Sequence, residues 1–168
     1  MELMVEAQSV RHPRPWFFPL QGKGLEPAIR MAQQYLDSRK PTGPWPQVYW
    51  ANPSLPLSQF GGIVLGLVLS VWIADERCAY DEIIAIGQCR TDRDPTLIEG
   101  PATDAGLQAV LKLGARSRKS CLILPETGAE GAKQAERLAQ VQQLGVATFR
   151  AGSLNGAVDI CLGGATRA

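Results

Sequence analysis

Histidine is almost absent: His12 is the one histidine in 168 residues. Any Ser-His-Asp triad, Cys-His pair or multi-histidine metal site would have to be built around it. It precedes Pro13 in a Pro/Arg turn, where a plain loop residue is expected. The chain also lacks a phosphate-loop pattern, a G-x-G-x-x-G fingerprint, an H-E-x-x-H zinc motif and a G-x-S-x-G elbow. Gly22-Lys23-Gly24 has the spacing of neither nucleotide fingerprint and reads as a tight turn. Cys78, Cys89, Cys121 and Cys161 lie 11, 32 and 40 residues apart, so no C-x-x-C pair exists. Three of them sit in apolar stretches, where a thiol behaves as a small hydrophobe. No metal and no cofactor are expected from these residues. An excess of one charge is missing too, since 17 Lys+Arg stand against 16 Asp+Glu. That balance speaks against a nucleic-acid partner and against an acidic tail. The longest apolar run, Phe60 to Ala74, has fifteen residues with three glycines. It falls short of the roughly 20 that a membrane span needs. Met1-Glu2 opens with an acid and not with a basic, then apolar, leader, so a cytoplasmic location is the expected default.

What remains is an ordinary globular composition, 45% hydrophobic and 20% charged, in a length that suits one domain over residues 1–168. Leu3 to Val10 and Trp16 to Leu20 are β-prone on either side of the His12-Pro13-Arg14-Pro15 break, and suggest a hairpin. A helix should open at Leu25-Glu26-Pro27 and stop by Lys40-Pro41, where the residue before proline disfavours the α conformation. A strand at Gln47 to Ala51 follows. Phe60 to Ala74 is too long for a typical strand and reads as a buried helix, with glycines suited to close packing. Glu82 to Cys89 reads as one strand, folded by the charged turn Arg90 to Pro95 onto Thr96-Leu97-Ile98. A helix from Thr103 to Gly114, a buried strand at Ser120 to Pro125 and a helix from Ala129 to Leu144 come next, the last ended by Gly145. Val146 to Arg150 is a final strand, and Ser153 caps a closing helix. The order predicts an α/β (α+β) fold, a mixed sheet with packed helices.

Several of these strings, in this order, resemble the proteolytic domain of the Lon-type ATP-dependent proteases over nearly the whole chain. Leu3-Met4-Val5-Glu6-Ala7 is similar to that domain's opening strand, and Leu20-Gln21-Gly22 with Leu25 to Ser38 to its first strand-turn-helix. Phe60-Gly61-Gly62-Ile63 and the apolar helix after it resemble the nucleophile-bearing helix, whose pattern is Gly-Pro-Ser-Ala-Gly-Ile. Ile86-Gly87-Gln88 stands in the place of the family's Thr-Gly-Glu, and Gly114 to Pro125 in that of its Ala-Gly, basic residue, apolar strand and proline.

The resemblance implies a Ser-Lys dyad, in which a lysine with a pKa lowered by burial takes the serine proton, so that no histidine is needed. The residues depart from that pattern at both positions. Phe60 stands where the serine belongs. The lysine belongs in a Gly-Gly-Leu-Lys-Glu-Lys-like string that here reads Glu99-Gly100-Pro101-Ala102-Thr103-Asp104, so it maps to Ala102 or Thr103. Phenylalanine and alanine cannot relay a proton. Ser58, two residues before Phe60 in a Pro-rich loop, is the fallback nucleophile, and Lys112 is the only lysine on the following helix.

The expectation is therefore a catalytically inactive Lon-like domain, a pseudo-protease, acting as a protein-binding or assembly module. Its partner would be a second copy or a separate ATPase, because the family's domain normally follows an ATPase module and assembles in rings. The alternatives are a divergent serine peptidase using Ser58 and a small-ligand binder in the vacated cleft. Trp16, Phe17 and Phe18 are the candidate binding residues, in an N-terminal region that also holds Trp45, Tyr49 and Trp50.

Overall fold

A computed structural model describes residues 3–6, 16–17, 25–39, 47–50, 60–73, 77–89, 94, 96–100, 104–113, 119–126 and 131–164. The elements, in chain order, are β1 (Leu3–Glu6), β2 (Trp16–Phe17), α1 (Leu25–Arg39), β3 (Gln47–Trp50), α2 (Phe60–Ile73), β4 (Glu82–Ala85), β5 (Gln88–Cys89), β6 (Ile98–Glu99), α3 (Asp104–Leu113), β7 (Ser120–Pro125), α4 (Ala132–Gln143), β8 (Ala147–Ala151) and α5 (Leu154–Cys161). The mixed α/β class follows directly from this order.

Strand β7 is apolar at four consecutive positions, Cys121 to Leu124, and buried along its whole length. A strand of that kind needs cover on both faces and neighbours on both edges. It has them: β4 and β8 pair with it on either side, both parallel, in the order β4-β7-β8. Alternation along the strand then divides the core in two. Cys121 and Ile123 join Phe149 and Ala151 of β8 beneath α1, α2 and α5. Leu122 and Leu124 face the other way, with Leu107 and Val110 of α3 and Val141 of α4. The result is a three-layer sandwich with helices on both faces of a small parallel sheet.

Helix α2 is apolar all round, and Val64, Leu65, Leu67, Val68, Leu69, Val71 and Trp72 are each at most 4% exposed. Burying these seven side chains is worth roughly 10–20 kcal/mol as an upper estimate. The helix-propensity cost of its three glycines is about 1 kcal/mol each, so packing decides the conformation. The helix touches α1, α5, β4 and β5, and β1 and β3 besides. Its one buried hydroxyl, Ser70, donates back to the Leu67 carbonyl at 2.7 Å.

Helix α1 lies beside α2, burying Ala28, Ala32 and Leu36. Its far end is tied to α5 by a hydrogen bond from the Tyr35 hydroxyl to Asn155 Oδ1 at 2.6 Å and by an exposed Arg39–Asp159 ion pair at 3.1 Å. Helix α5 starts as its sequence requires, with Ser153 Oγ accepting the Gly156 N–H at 3.1 Å. Helix α4 ends at Gln143, and Gly145 follows with φ +85°, the left-handed conformation that glycine adopts without strain.

Two sequence expectations are corrected here. The N-terminal hairpin is not formed: β1 pairs antiparallel with β3 and β2 pairs parallel with β3, in the order β1-β3-β2. Strand β3, whose Val48-Tyr49-Trp50 has stronger β-propensity than either neighbour's turn signal can offset, takes the central place between them. The Glu82 to Cys89 strand is also broken in two. Strand β4 pairs parallel with β7, whereas β5 pairs antiparallel with β6, so the chain must leave one sheet before entering the next. It does so at Gly87, where φ is +130°.

Burial pushes the Cys89 and Cys121 thiols up from 9.0 to about 12, and pushes the Tyr35 hydroxyl up from 10.0 to about 12. The fold therefore favours the protonated forms, and their stabilisation is complete below the unfolded values and is lost as pH climbs toward the folded ones. These groups leave thermal stability level between pH 6 and 8. Above pH ~9 the melting temperature should fall steadily, less steeply beyond pH ~10 in Tyr35→Phe. A flat profile to pH ~11, followed by circular dichroism, would contradict the burial of these groups.

Candidate functional site

In an open parallel sheet the chemistry-bearing loops gather beyond the carboxyl ends of the strands. Here those ends are Ala85 to Gly87, Pro125 with Glu126, and Ala151 to Ser153, and the β5–β6 hairpin lies across them. The Ile86 N–H extends the β4 ladder by donating to the Ile123 carbonyl at 2.9 Å. The Ile98 N–H donates to the Gly152 carbonyl at 3.0 Å, and the Leu154 N–H returns a bond of 2.7 Å to the Thr96 carbonyl. Strand β6 is thereby stitched to the β8–α5 junction, with Ile98 buried at 2% exposure.

The kink at Gly87 is the tightest point. A Cβ there would stand 3.1 Å from both Ile98 Cγ2 and Pro125 Cγ, and 3.3 Å from the Glu99 carbonyl oxygen. Gly100, at φ +109°, passes close by, its own Cβ position 4.0 Å from Gly87 Cα. Both glycines are required by positive φ, and together they bring the exit of β6, four residues before α3 begins, against the end of β4.

Charged side chains collect along the same edge. Arg150 donates to the Pro125 carbonyl at 3.2 Å. The exposed Glu126 carboxylate lies over Gly152, where a Cβ would meet Oε2 at 2.6 Å. Glu99 is half-buried on β6. At the tip of the hairpin the exposed Asp94 accepts from the Thr96 hydroxyl at 2.7 Å and the Thr96 N–H at 3.0 Å. Those bonds hold its carboxyl below the usual carboxylate range, the side-chain bond foremost. The sequence reading left Glu99, Glu126 and Arg150 unconnected. Each is an isolated charge in the sequence, and only the nonlocal pairing of β6 with the β8–α5 junction gathers them.

Phe60 is the first residue of α2. Ala102, Thr103 and Ser58 lie outside the described residues, as does Phe18. Trp16 and Phe17 form β2, which pairs with β3 and so belongs to a strand flanking the first sheet and not to a hairpin. Lys112 is in the last turn of α3 and exposed. It lies eight residues beyond Asp104, so about 12 Å along the axis from the helix start. The other described lysines, Lys119 and Lys133, are exposed as well. Among the described residues, then, no lysine is buried as a dyad base must be, and no group of three or more His, Cys, Asp or Glu side chains is arranged to hold a metal ion. No helix among them is long and apolar enough to cross a membrane.

Gly87→Ala combines backbone strain with contacts that neither Ile98 nor Pro125 can easily relieve. It should destabilise the protein by about 2–4 kcal/mol in urea unfolding. A variant within about 0.5 kcal/mol of the parent would show that the kink does not constrain the fold.

No protein-family model matches the chain, and no curated protein matches its sequence.

Proposed function

We propose that this chain has a Lon-like proteolytic fold without its Ser-Lys dyad, and that it serves as a protein-binding or assembly module. The observation that carries the reading is Phe60 at the first residue of α2. A buried apolar helix begins at the place of the nucleophile with a side chain that can neither donate nor accept a proton. The order from β4 through the β5–β6 hairpin, α3, β7, α4, β8 and α5 supports it, because it is the order that the sequence resemblance implies.

With acyl transfer gone, what such a fold offers is surface. The partner is a second copy of the chain or a separate ATPase, met through the Trp16-Phe17-Phe18 region. Trp16 and Phe17 lie on β2, at the end of the order β1-β3-β2, and an edge strand with aromatic residues is a template for further pairing.

Two measurements test the reading. The purified protein should leave unfolded casein and fluorogenic peptides uncleaved above background, with or without a serine-directed inhibitor. Cleavage that disappears in a folded Ser58→Ala variant would give the site to a divergent peptidase instead. For assembly, light scattering coupled to size exclusion should report a species larger than one chain, or a pull-down should recover an ATPase. Trp16→Ala/Phe17→Ala should reduce that association at least tenfold while leaving the circular dichroism spectrum intact. A strictly monomeric chain that retains no ATPase would remove the support for a binding module.

A further inference from the structure

Three of the four cysteines, separated by 43 and 40 residues in sequence, converge at the amino-terminal end of the β4-β7-β8 sheet. Cys121 is the second residue of β7 and Cys161 the last of α5, each 0% exposed. Cys78 precedes β4 and is half-buried against the same apolar cluster. The backbone brackets Cys78 and Cys161 together: the Ala79 N–H donates to the Cys161 carbonyl at 2.8 Å, and the Cβ position of Gly163 stands 3.4 Å from Ala79 Cβ. Electrostatics carries the same signature. Burial raises the Cys161 thiol most, and Cys78 and Cys121 raise it further, whereas Cys89 feels burial alone. All four are thiols in the structure.

We propose that Cys78 and Cys161 form a reversible disulfide on exposure to a peroxide, tying the α2–β4 connector to the end of α5. Cys78 is the point of entry because it is the only one of the three with exposed surface. Its thiol, which donates to the Tyr80 carbonyl at 3.3 Å, takes one peroxide oxygen to become a sulfenic acid, and water leaves. The Cys161 sulfur then attacks the sulfenic sulfur: the S–S bond forms, the S–O bond breaks, and the hydroxyl departs with the Cys161 proton as a second water. Two thiols and one hydrogen peroxide thus yield one disulfide and two waters. Cys161 is the resolving thiol, not Cys121. Cys121 is held in a ladder with Ile83 on one side and Ala147 on the other, while Cys161 ends a helix and its own carbonyl accepts the N–H of Ala79, the residue next to Cys78, which brings these two backbones into the range a disulfide spans. Because burial keeps Cys161 protonated, the second step is slow at pH 7 and faster as pH rises.

The test uses the whole chain under native conditions. Hydrogen peroxide treatment, quenching, unfolding and alkylation should find two fewer reactive thiols than the four of the untreated protein. Peptide mass spectrometry should recover one linked pair containing Cys78 and Cys161, and dithiothreitol should restore all four thiols. The linked fraction at a fixed time should be at least threefold higher at pH 8.5 than at pH 7. Cys78→Ser should form no link, and Cys121→Ser should keep it. Four thiols still reactive, a sulfinic acid at Cys78 without a link, a link to Cys121 or a link between two chains would each overturn the proposal. The mapping on the unsubstituted protein decides the matter even if a variant fails to fold.

Discussion

Helix α2 has no polar side to turn toward water, and that constraint organises the molecule. An amphipathic helix can rest on a sheet and leave its other face wet. A helix of fourteen residues reading FGGIVLGLVLSVWI must instead be enclosed. Helices α1 and α5 flank it, β4 approaches from the parallel sheet, β5 from the β5–β6 hairpin, and β1 and β3 from the N-terminal sheet. The N-terminal sheet and the β4-β7-β8 sheet share no hydrogen-bonded strand; both are contacted by this one apolar rod. The Tyr35–Asn155 and Arg39–Asp159 contacts then join the two helices that cover it, across 120 residues of sequence. The exposed ion pair adds little to stability, while the short, part-buried hydroxyl–amide bond sets the register of α1 against α5.

How far the fold was legible follows from whether each signal was local. Periodicity identified α1, the all-apolar run identified α2, and Ser153 and Gly145 marked a helix start and a helix end, because capping and helical burial are decided within a few residues. Pairing is not. Nothing near Trp16 tells that β3, thirty residues on, will come between β2 and β1, and the turn at His12 to Pro15 points to the simpler hairpin. Gly87 could be seen in the sequence, but a glycine inside Glu82 to Cys89 suits a bulge as well as a break. Only the opposite directions of β7 and β6 as partners require the latter. The candidate site was legible in part for the same reason. Phe60 at a helix start is local information, whereas the gathering of Glu99, Glu126 and Arg150 at one edge is a product of topology.

Under the proposed function, Phe60 and Ala102 or Thr103 stand where the sequence resemblance places a serine and a lysine. Losing a nucleophile costs a fold nothing in stability, and an apolar residue in its place removes a polar group that would otherwise need a partner. Among the described residues, positive φ is confined to glycines, so no side chain there is held in the left-handed region.

The enclosure of α2 has a consequence for how the chain is made. Helix α5, which covers one side of it, begins 81 residues after α2 ends, and synthesis at about 5–20 residues per second separates the two by roughly 4–16 s. Strand β7, which completes the sheet beside β4, also arrives late. The most apolar segment of the protein therefore leaves the ribosome well before the elements that shield it. The β7-α4-β8-α5 half, by contrast, is built from neighbours in sequence and can close soon after it emerges. In the interval α2 is an apolar segment without its cover.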